Sequence, residues 1–293
     1  MVLANLLRSM RPQQWIKNLV VFAALIFAEL LVEIPLLLKT GAGFVVFCVL
    51  SSSVYLFNDL VDRESDAQHP TKRLRPLVSG KISPRTVVIA LCVLLVIGLS
   101  ASWWIGRGFF SVAVAYLLLN LAYTFSFRNI VILDLITIAA GFVLRAIAGA
   151  ELLRDAGHPV AISPWLLMCT FLLSLFLGLG KRYHELHVAG GGHRVTLHGY
   201  TESFLGRLLT MTAATTLLSY GLYTIWPDTV ERFGTTRLLY TIPFVFYGLS
   251  RYLYLVTEEA EGGDPSETLV SRRSIVLTVG LWFAAVLLIL YRR

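Results

Sequence analysis

The sequence has little charge for its length. Only 15% of its 293 residues are charged, whereas 56% are hydrophobic and the mean hydropathy is +0.72. A soluble domain of this size could not bury so much apolar surface, so the composition excludes a soluble enzyme and predicts an integral membrane protein. The net charge of +7 lies mainly between the apolar runs, as in membrane-protein loops, and we therefore expect no nucleic-acid partner.

Cysteine and catalytic signatures of soluble enzymes are also scarce. Cys48, Cys92 and Cys169 lie inside apolar runs and are odd in number, so they predict neither a disulfide framework nor a Cys-based metal site. No Ser-His-Asp or Cys-His pattern stands out, and no Lys-Ser/Thr follows Gly190–Gly192 to make a phosphate-binding loop. Because no Pro-, Ser- or Gly-rich linker interrupts the apolar runs, we expect one integral domain over residues 1–293.

Long apolar runs follow one another along the chain. They predict an all-α integral membrane protein with about nine transmembrane helices, each near the ~20 residues that a bilayer requires. The runs are 19–38, 42–59, 86–105, 109–125, 130–150, 162–180, 204–226, 236–256 and 273–291. Before the first run, Leu3, Leu6, Leu7 and Met10 recur at helical spacing, which predicts a short interfacial helix over residues 1–12.

Lys and Arg are distributed unevenly between alternate loops. If the N-terminus is cytoplasmic, most of them fall on the inner side, many of them in the long loops 60–85 and 181–203. The bias predicts a multi-pass protein of the plasma (inner) membrane, with its C-terminus outside. We expect the two loops to be catalytic and the helices to surround a central cavity that opens to the cytoplasm.

One polar stretch, NDLVDRESD, ends the second apolar run. Asp59, Asp62 and Asp66 are spaced three and four residues apart, so a continuous helix would stack their carboxylates on one face, with Asn58 on the same stripe. Such a row repels itself, and a helix C-terminus already disfavours negative charge. Hard oxygen ligands beside phosphate suit Mg²⁺, so the stretch predicts a Mg²⁺-diphosphate site. A solvated helix end with charges of both signs is the alternative.

Basic residues flank this stretch. Lys72, Arg73 and Arg75 follow it directly in HPTKRLRPLVSGK. With Lys17 at the start of the first apolar run and Arg128 after the fourth, they would surround the mouth of a cytoplasmic cavity with positive charge. Taken singly, Lys17 and Arg128 could equally be interfacial anchors.

Charged residues within or directly after later runs are further candidates, because ionisable groups in a membrane face the protein interior or a cavity. Arg145 could line a cavity and bind phosphate, or form a buried ion pair. Asp134 lies on the same helical face but too far along the helix to pair with it. After the sixth run, Lys181, Arg182 and Glu185 could form a phosphate-binding cluster, in which Glu185 orients Lys181 or reaches a metal, or an ordinary cytoplasmic anchor pair.

The motif NDxxDxxxD at 58–66, followed by TKRLRPL, resembles the UbiA superfamily of intramembrane prenyltransferases. The stretches RPQQWIKN, HPTKR, LRAIAGA and GKRYHELH are similar to one branch, the decaprenyl-phosphate phosphoribosyltransferases. This resemblance implies a UbiA-like fold, Mg²⁺, a 5-phosphoribosyl 1-diphosphate donor and a polyprenyl (decaprenyl) phosphate acceptor. The implied product is a lipid-linked pentose precursor for cell-wall arabinan, the lipid bilayer is the implied setting, and a homo-oligomer stays open.

The resemblance also implies residue roles. The metal ligands would be Asn58, Asp59, Asp62 and Asp66, and the three aspartates among them would be the catalytic residues. Substrate-binding residues would be Lys17, Asn58, Lys72, Arg73, Arg75, Tyr123, Arg128, Arg145, Lys181, Arg182 and Glu185. Ordinary prenyltransferases carry a second Asp-rich motif in the second inner loop, where this sequence has Lys181, Arg182 and Glu185. The branch has a Tyr-to-Lys motif after the fourth span, whereas here Tyr123 is followed by Arg128.

Two other functions remain open at the level of the sequence. One is a UbiA-type prenyltransferase that uses an isoprenoid diphosphate donor. The other is an ion-coupled transporter whose buried charges form an ion path.

Overall fold

The structure, a computed structural model, describes residues 2–189, 199–259, 263 and 265–292. Every regular element in this part of the chain is a helix, which confirms the all-α prediction. Seven of these helices are long and apolar enough to cross a membrane. They are Ile34–Val61, Pro84–Ile105, Arg107–Phe125, Leu133–Arg154, Pro164–His187, Glu202–Ile225 and Arg273–Tyr291. The chain is therefore a multi-pass membrane protein.

Two of the predicted spans differ from these long helices. The first predicted run begins in a 3₁₀ helix, Pro12–Phe22, and a short α-helix, Ala23–Phe27, and the backbone then turns at Glu29 with a φ of 60°. The next helix starts at Ile34, so the predicted boundary between the first two runs is wrong. The eighth run forms a helix of only 16 residues, Ile242–Thr257. The count of nine spans stays a prediction.

The chain divides into two compact units. The first unit comprises Met1–Phe125 and Leu144–Ala161, and the second comprises Ser126–Val143 and Ile162–Arg293. The single domain over residues 1–293 therefore stays a prediction.

The first unit is built around one long helix, Ile34–Val61, which follows the predicted interfacial segment. Its helices are α1 (Val2–Met10), α2 (Ala23–Phe27), α3 (Ile34–Val61), α4 (Arg63–Ala67), α5 (Pro84–Ile105), α6 (Arg107–Phe125) and the second half of α7 (Leu133–Arg154). α5 begins where Ser83 accepts a hydrogen bond from the Thr86 backbone N–H and Pro84 occupies the first turn, a combination that favours helix initiation. The predicted interfacial helix corresponds to α1, and its position on the membrane stays a prediction.

A small apolar cluster fixes the loop that follows α4. Leu77 and Ile82 of that loop are buried against Leu56 of α3 and Val87 of α5. Side chains of α1 pack on the same cluster. Burial of each such side chain contributes about 1.5–3 kcal/mol. The cluster therefore holds α1 and the basic loop at the C-terminal end of α3.

The second unit contains the remaining long helices. They are the first half of α7, then α8 (Pro164–Ala189), α9 (Glu202–Ile225), α10 (Pro227–Phe233), α11 (Ile242–Thr257), α12 (Pro265–Ser271) and α13 (Arg273–Tyr291). α9 begins at Thr201, whose hydroxyl accepts a hydrogen bond from the Phe204 N–H, with Glu202 in its positively polarised first turn. Its core joins α7, α8, α9 and α11 through residues such as Leu135, Phe176 and Leu205.

The backbone of α7 makes a close approach within the first unit. A Cβ atom added to Gly149 would lie 2.1 Å from the carbonyl oxygen of Val21, in the 3₁₀ helix. A backbone oxygen cannot rotate away as a flexible side chain can. The contact therefore requires glycine at position 149.

We expect Gly149→Ala to lower the melting temperature of the purified protein in detergent, because the added methyl group would push the 3₁₀ helix away from α7. Gly41→Ala in α3 is the matched control, since a Cβ there would meet nothing within 4 Å. Alanine also favours the helix over glycine by about 1 kcal/mol. Equal melting temperatures for Gly149→Ala and the wild type would contradict the close packing.

Candidate active site

The predicted acidic motif lies at the junction of two helices. α3 carries Asn58 and Asp59 in its last turn and ends at Val61, and α4 begins at Arg63 and carries Asp66. The backbone at Asp62, with φ −89° and ψ 4°, interrupts the helix. The motif therefore does not lie on one continuous helix, although backbone hydrogen bonds still connect Asp62 to Asn58 and Asp66 to Asp62.

Two carboxylates of the motif converge on one cation. Asp59 and Asp66 are only 1% and 3% exposed. The Nη1 of Arg75 donates to Asp59 Oδ1 at 3.1 Å and also to Asp66 Oδ2. Asp62 is half-buried. The structure therefore brings Asp59 and Asp66 together with Arg75 of the basic loop.

Two more cations approach the same pair of carboxylates. The Nη2 of Arg11 donates to Asp59 Oδ1 at 2.6 Å, and the Lys72 Nζ lies 3.9 Å from Asp66 Oδ1. The Arg11 guanidinium also lies 4.8 Å from the centre of the Tyr55 ring, a cation–π distance. Sequence reasoning missed Arg11 as a residue of this site. The available signal was its place at the start of the RPQQWIKN stretch.

The other predicted site residues of the first unit differ in their contacts and exposure. The Thr124 hydroxyl donates to Asn58 Oδ1 at 2.7 Å, so the end of α6 is beside the motif, and Tyr123 is the preceding residue. Lys17 is half-buried in the 3₁₀ helix, and Arg73 is exposed. Their role in binding substrate stays a prediction.

Arg145 has neutral partners inside the first unit. Its Nε donates to Asn18 Oδ1 at 2.7 Å, and its Nη2 donates to the Tyr116 hydroxyl at 2.9 Å. Asn18 in turn donates to the Ser51 hydroxyl at 3.2 Å. The guanidinium is buried, and these contacts connect α7 to the 3₁₀ helix and α6. These hydrogen bonds hold the three elements together, and the predicted role of Arg145 in substrate binding stays a prediction.

In the second unit, Arg182 lies between two carboxylates. Its Nε donates to Asp134 Oδ2 at 3.0 Å, and its Nη1 donates to Glu185 Oε2 at 2.6 Å. Arg182 is 2% exposed, so its guanidinium has almost no surface for a ligand. This burial argues against direct phosphate binding by Arg182, whose role in substrate binding stays a prediction. Lys181 and Arg128 of this unit are half-buried, and residues 190–198 of the predicted loop 181–203 lie outside the described residues.

Tyr200 completes this second network. Its hydroxyl donates to Asp134 Oδ1 at 3.0 Å and accepts from the Ile132 backbone N–H at 2.6 Å. Burial, and next to it the Asp134 carboxylate, raise the pKa of Tyr200 to about 12, so the hydroxyl keeps its proton at neutral pH. Ile132 has a φ of 70°, which is rare for a β-branched residue, and the hydrogen bond helps to hold that turn. Sequence reasoning missed Tyr200, which has no local motif.

The comparisons with known proteins agree with this architecture. Residues 18–271 match the UbiA prenyltransferase family. The chain belongs to the UbiA prenyltransferase family. It is 32% identical to the decaprenyl-phosphate phosphoribosyltransferase of Mycolicibacterium smegmatis, over 97% of this chain and 92% of that protein. For the proteins of the same name from Mycobacterium tuberculosis and Corynebacterium glutamicum the identity is 31%, over 97% and 98% of this chain and 94% and 87% of theirs.

Solved structures of UbiA homologs share this fold. The structure of a UbiA homolog from Archaeoglobus fulgidus bound to DMAPP and Mg²⁺ matches with a TM-score of 0.72 at 17% identity, over 98% of this chain and 99% of the homolog. The structure of that homolog bound to GPP and Mg²⁺ matches with a TM-score of 0.71 at 17% identity, with the same coverage. The UbiA-like fold that the motif implied is thus confirmed.

The acidic centre of this UbiA-family chain fits a magnesium ion with few protein ligands. Mg²⁺ is usually held by one or two carboxylates together with waters and substrate phosphates. Asp59 and Asp66 provide two hard oxygen donors that already share one cationic partner, Arg75. Among the described residues, no group of three or more His, Cys, Asp or Glu side chains is assembled for a metal. The full ligand set of Asn58, Asp59, Asp62 and Asp66 stays a prediction.

The contribution of the Arg182 network to the stability of this UbiA-family protein can be measured. We expect Arg182→Gln to lower the free energy of unfolding by about 3–5 kcal/mol, because Asp134 would stay buried without its cation. The measurement is chemical denaturation in detergent, followed by tryptophan fluorescence.

Arg207→Gln is the control for that experiment. Arg207 is exposed on α9 and donates to the Ser203 hydroxyl, so its loss should change stability by about 0.5 kcal/mol at most. An Arg182→Gln protein that is as stable as this control but inactive would return Arg182 to substrate binding.

Proposed function

We propose that this UbiA-family protein transfers the 5-phosphoribosyl group of 5-phosphoribosyl 1-diphosphate to a polyprenyl phosphate, such as decaprenyl phosphate, and releases diphosphate. The observation that carries the proposal is the identity of 31–32% with relatives named decaprenyl-phosphate phosphoribosyltransferase, over nearly the whole chain. The cation-rich pair of buried aspartates supports it, because a diphosphate needs both a metal and positive side chains. The product would be a lipid-linked pentose precursor for cell-wall arabinan.

The acidic centre would act on the diphosphate end of the donor. Asp59 and Asp66, with Asn58 and Asp62 beside them, would hold Mg²⁺, which would withdraw charge from the leaving diphosphate. Arg75, Lys72 and Arg73 would neutralise that leaving group as C1 of the ribose gains positive character.

The acceptor needs less catalytic assistance from the protein than the donor does. The nucleophile is an ionised phosphate oxygen, so the reaction needs no strong general base. Lys181 and Arg128 would bind a phosphate, either that of the acceptor or the 5-phosphate of the donor. The Lys- and Arg-rich loops 60–85 and 181–203 support a cytoplasmic active site in the plasma membrane, with the C-terminus outside.

A prenyltransferase with an isoprenoid diphosphate donor is the second candidate. The family match favours it, as do the two solved structures with bound prenyl diphosphates. The second unit argues against it, because Asp134 and Glu185 are already ion-paired with Arg182, and a second metal would have to displace that arginine.

A labelled-product assay separates these candidates. We expect the purified protein, with Mg²⁺, phosphoribosyl diphosphate and decaprenyl phosphate, to form a lipid-linked phosphoribose, and to lose that activity in EDTA. Product from an isoprenoid diphosphate and an aromatic acceptor, with none from phosphoribosyl diphosphate, would overturn the proposal. Flux across sealed liposomes that survives the loss of Asp59 would instead indicate transport.

We expect Asp59→Asn to reduce turnover at least ~100-fold, because the amide keeps the shape of the carboxylate but loses the charge that holds the metal. Glu64→Gln is the matched control. Glu64 belongs to the same motif but is exposed on α4, so its activity should be close to that of the wild type. Initial rates under saturating substrate, together with a melting curve for each variant, decide the question. Wild-type turnover in Asp59→Asn would remove Asp59 from the site.

A further inference from the structure

The two buried aspartates are surrounded by an excess of positive charge. Asp59 and Asp66 contribute two negative charges, whereas Arg11, Arg75 and Lys72 contribute three positive charges within 4 Å of them. A metal ion that approaches these two carboxylates alone therefore meets oxygens that already have cationic partners.

Arg75 takes the place of a bridging cation. One of its nitrogen atoms, Nη1, contacts both Asp59 Oδ1 and Asp66 Oδ2. A divalent ion that bound both oxygens would have to displace this nitrogen. The guanidinium would then be left beside the metal without its anionic partners, and like charges at short range repel strongly outside bulk water.

A diphosphate removes this obstacle. Its oxygens can accept paired hydrogen bonds from arginine and at the same time coordinate the metal. The side chains of Arg11 and Arg75 are 25% and 24% exposed, so their guanidinium groups can reach a ligand that arrives from solvent. Arg182 of the second unit, with its side chain 2% exposed, has no such access.

The backbone holds Arg11 beside this centre. The Ser52 hydroxyl of α3 donates to the Met10 carbonyl, and the Trp15 indole N–H donates to Ser52, so both flanks of Arg11 are attached to α3. Arg11 itself has a φ of 55°, which turns the chain between α1 and the 3₁₀ helix. A positive φ is costly for a residue other than glycine. The fold maintains it at Arg11, where it places the guanidinium on Asp59.

We infer that Arg75 and Arg11 are exchangeable counter-ions of Asp59 and Asp66, which make divalent-metal binding depend on a bound diphosphate. Without the diphosphate the arginines occupy the carboxylates. With it, they move to the phosphate oxygens, and the carboxylates become available to the metal. Because such coupling is reciprocal, the metal strengthens diphosphate binding by the same factor. The inference rests on the diphosphate site of the proposed function, but on neither the ribose nor the lipid.

Equilibrium dialysis of the full-length protein against Mn²⁺, with and without inorganic pyrophosphate on both sides of the membrane, tests the inference. For the wild type we expect Mn²⁺ to bind at least ~10-fold more tightly with pyrophosphate, about 1.4 kcal/mol of coupling. For Arg75→Met we expect Mn²⁺ alone to bind at least ~10-fold more tightly than to the wild type, and the effect of pyrophosphate to shrink. Asp59→Asn should abolish Mn²⁺ retention in both conditions, which locates the metal at this centre.

Arg8→Met is the control for loss of charge. Arg8 is exposed on α1, three residues before Arg11, and its removal should leave both Mn²⁺ affinities unchanged. If Arg75→Met does not give folded protein, Arg11→Met replaces it, and should strengthen binding of Mn²⁺ alone by a smaller factor because Arg75 remains. Equal Mn²⁺ affinity of the wild type with and without pyrophosphate would overturn the inference, as would unchanged affinity in the arginine variants. Neither result depends on whether phosphoribosyl transfer occurs.

Discussion

The structure of the first unit depends on the pairing of two carboxylates that are out of contact with water. Asp59 and Asp66 sit where a membrane-spanning helix ends, and an unpaired charge there would cost several kcal/mol. The surrounding elements supply the compensation: the turn after α1 provides Arg11, and the loop after α4 provides Arg75. The apolar cluster of α1, α3, α5 and this loop keeps those sources of charge in place.

In the second unit, a buried carboxylate is also paired, but by buried partners. Asp134 has an arginine partner and a tyrosine donor, both of which are almost fully buried. Arg182 is only 2% exposed, so a ligand has little access to its guanidinium. Around Asp59, by contrast, the arginines are about a quarter exposed. Exposure of the cation, rather than of the carboxylate, thus distinguishes a structural ion pair from one that can exchange partners with a substrate.

The sequence predicted the features that are local in the chain. Hydropathy predicted the helical membrane class, and the NDxxDxxxD motif predicted the family. The sequence could not predict contacts between residues that are far apart along the chain. Arg11 and Asp59 are 48 residues apart, and Arg145 and Asn18 are 127 residues apart. Nor does helical periodicity reveal the interruption at Asp62, because the spacing of the aspartates is the same in a continuous helix and in two consecutive ones. Tertiary contacts decide these points, and Arg145 is an example, since its hydrogen bonds to Asn18 and Tyr116 connect three elements that are far apart in the sequence.

Charge balance also explains why one acidic centre suffices for the proposed chemistry. In the second unit, Asp134 and Glu185 are already ion-paired with Arg182, so that network needs no metal to hold it together. In the first unit, three cations lie within 4 Å of the two buried carboxylates, and an arriving polyanion gives those cations further anionic partners. A donor with a single diphosphate supplies that anion at one end of the molecule. Its other groups, a ribose and one phosphate, carry less charge and can be held by hydrogen bonds and single cations, without a second metal.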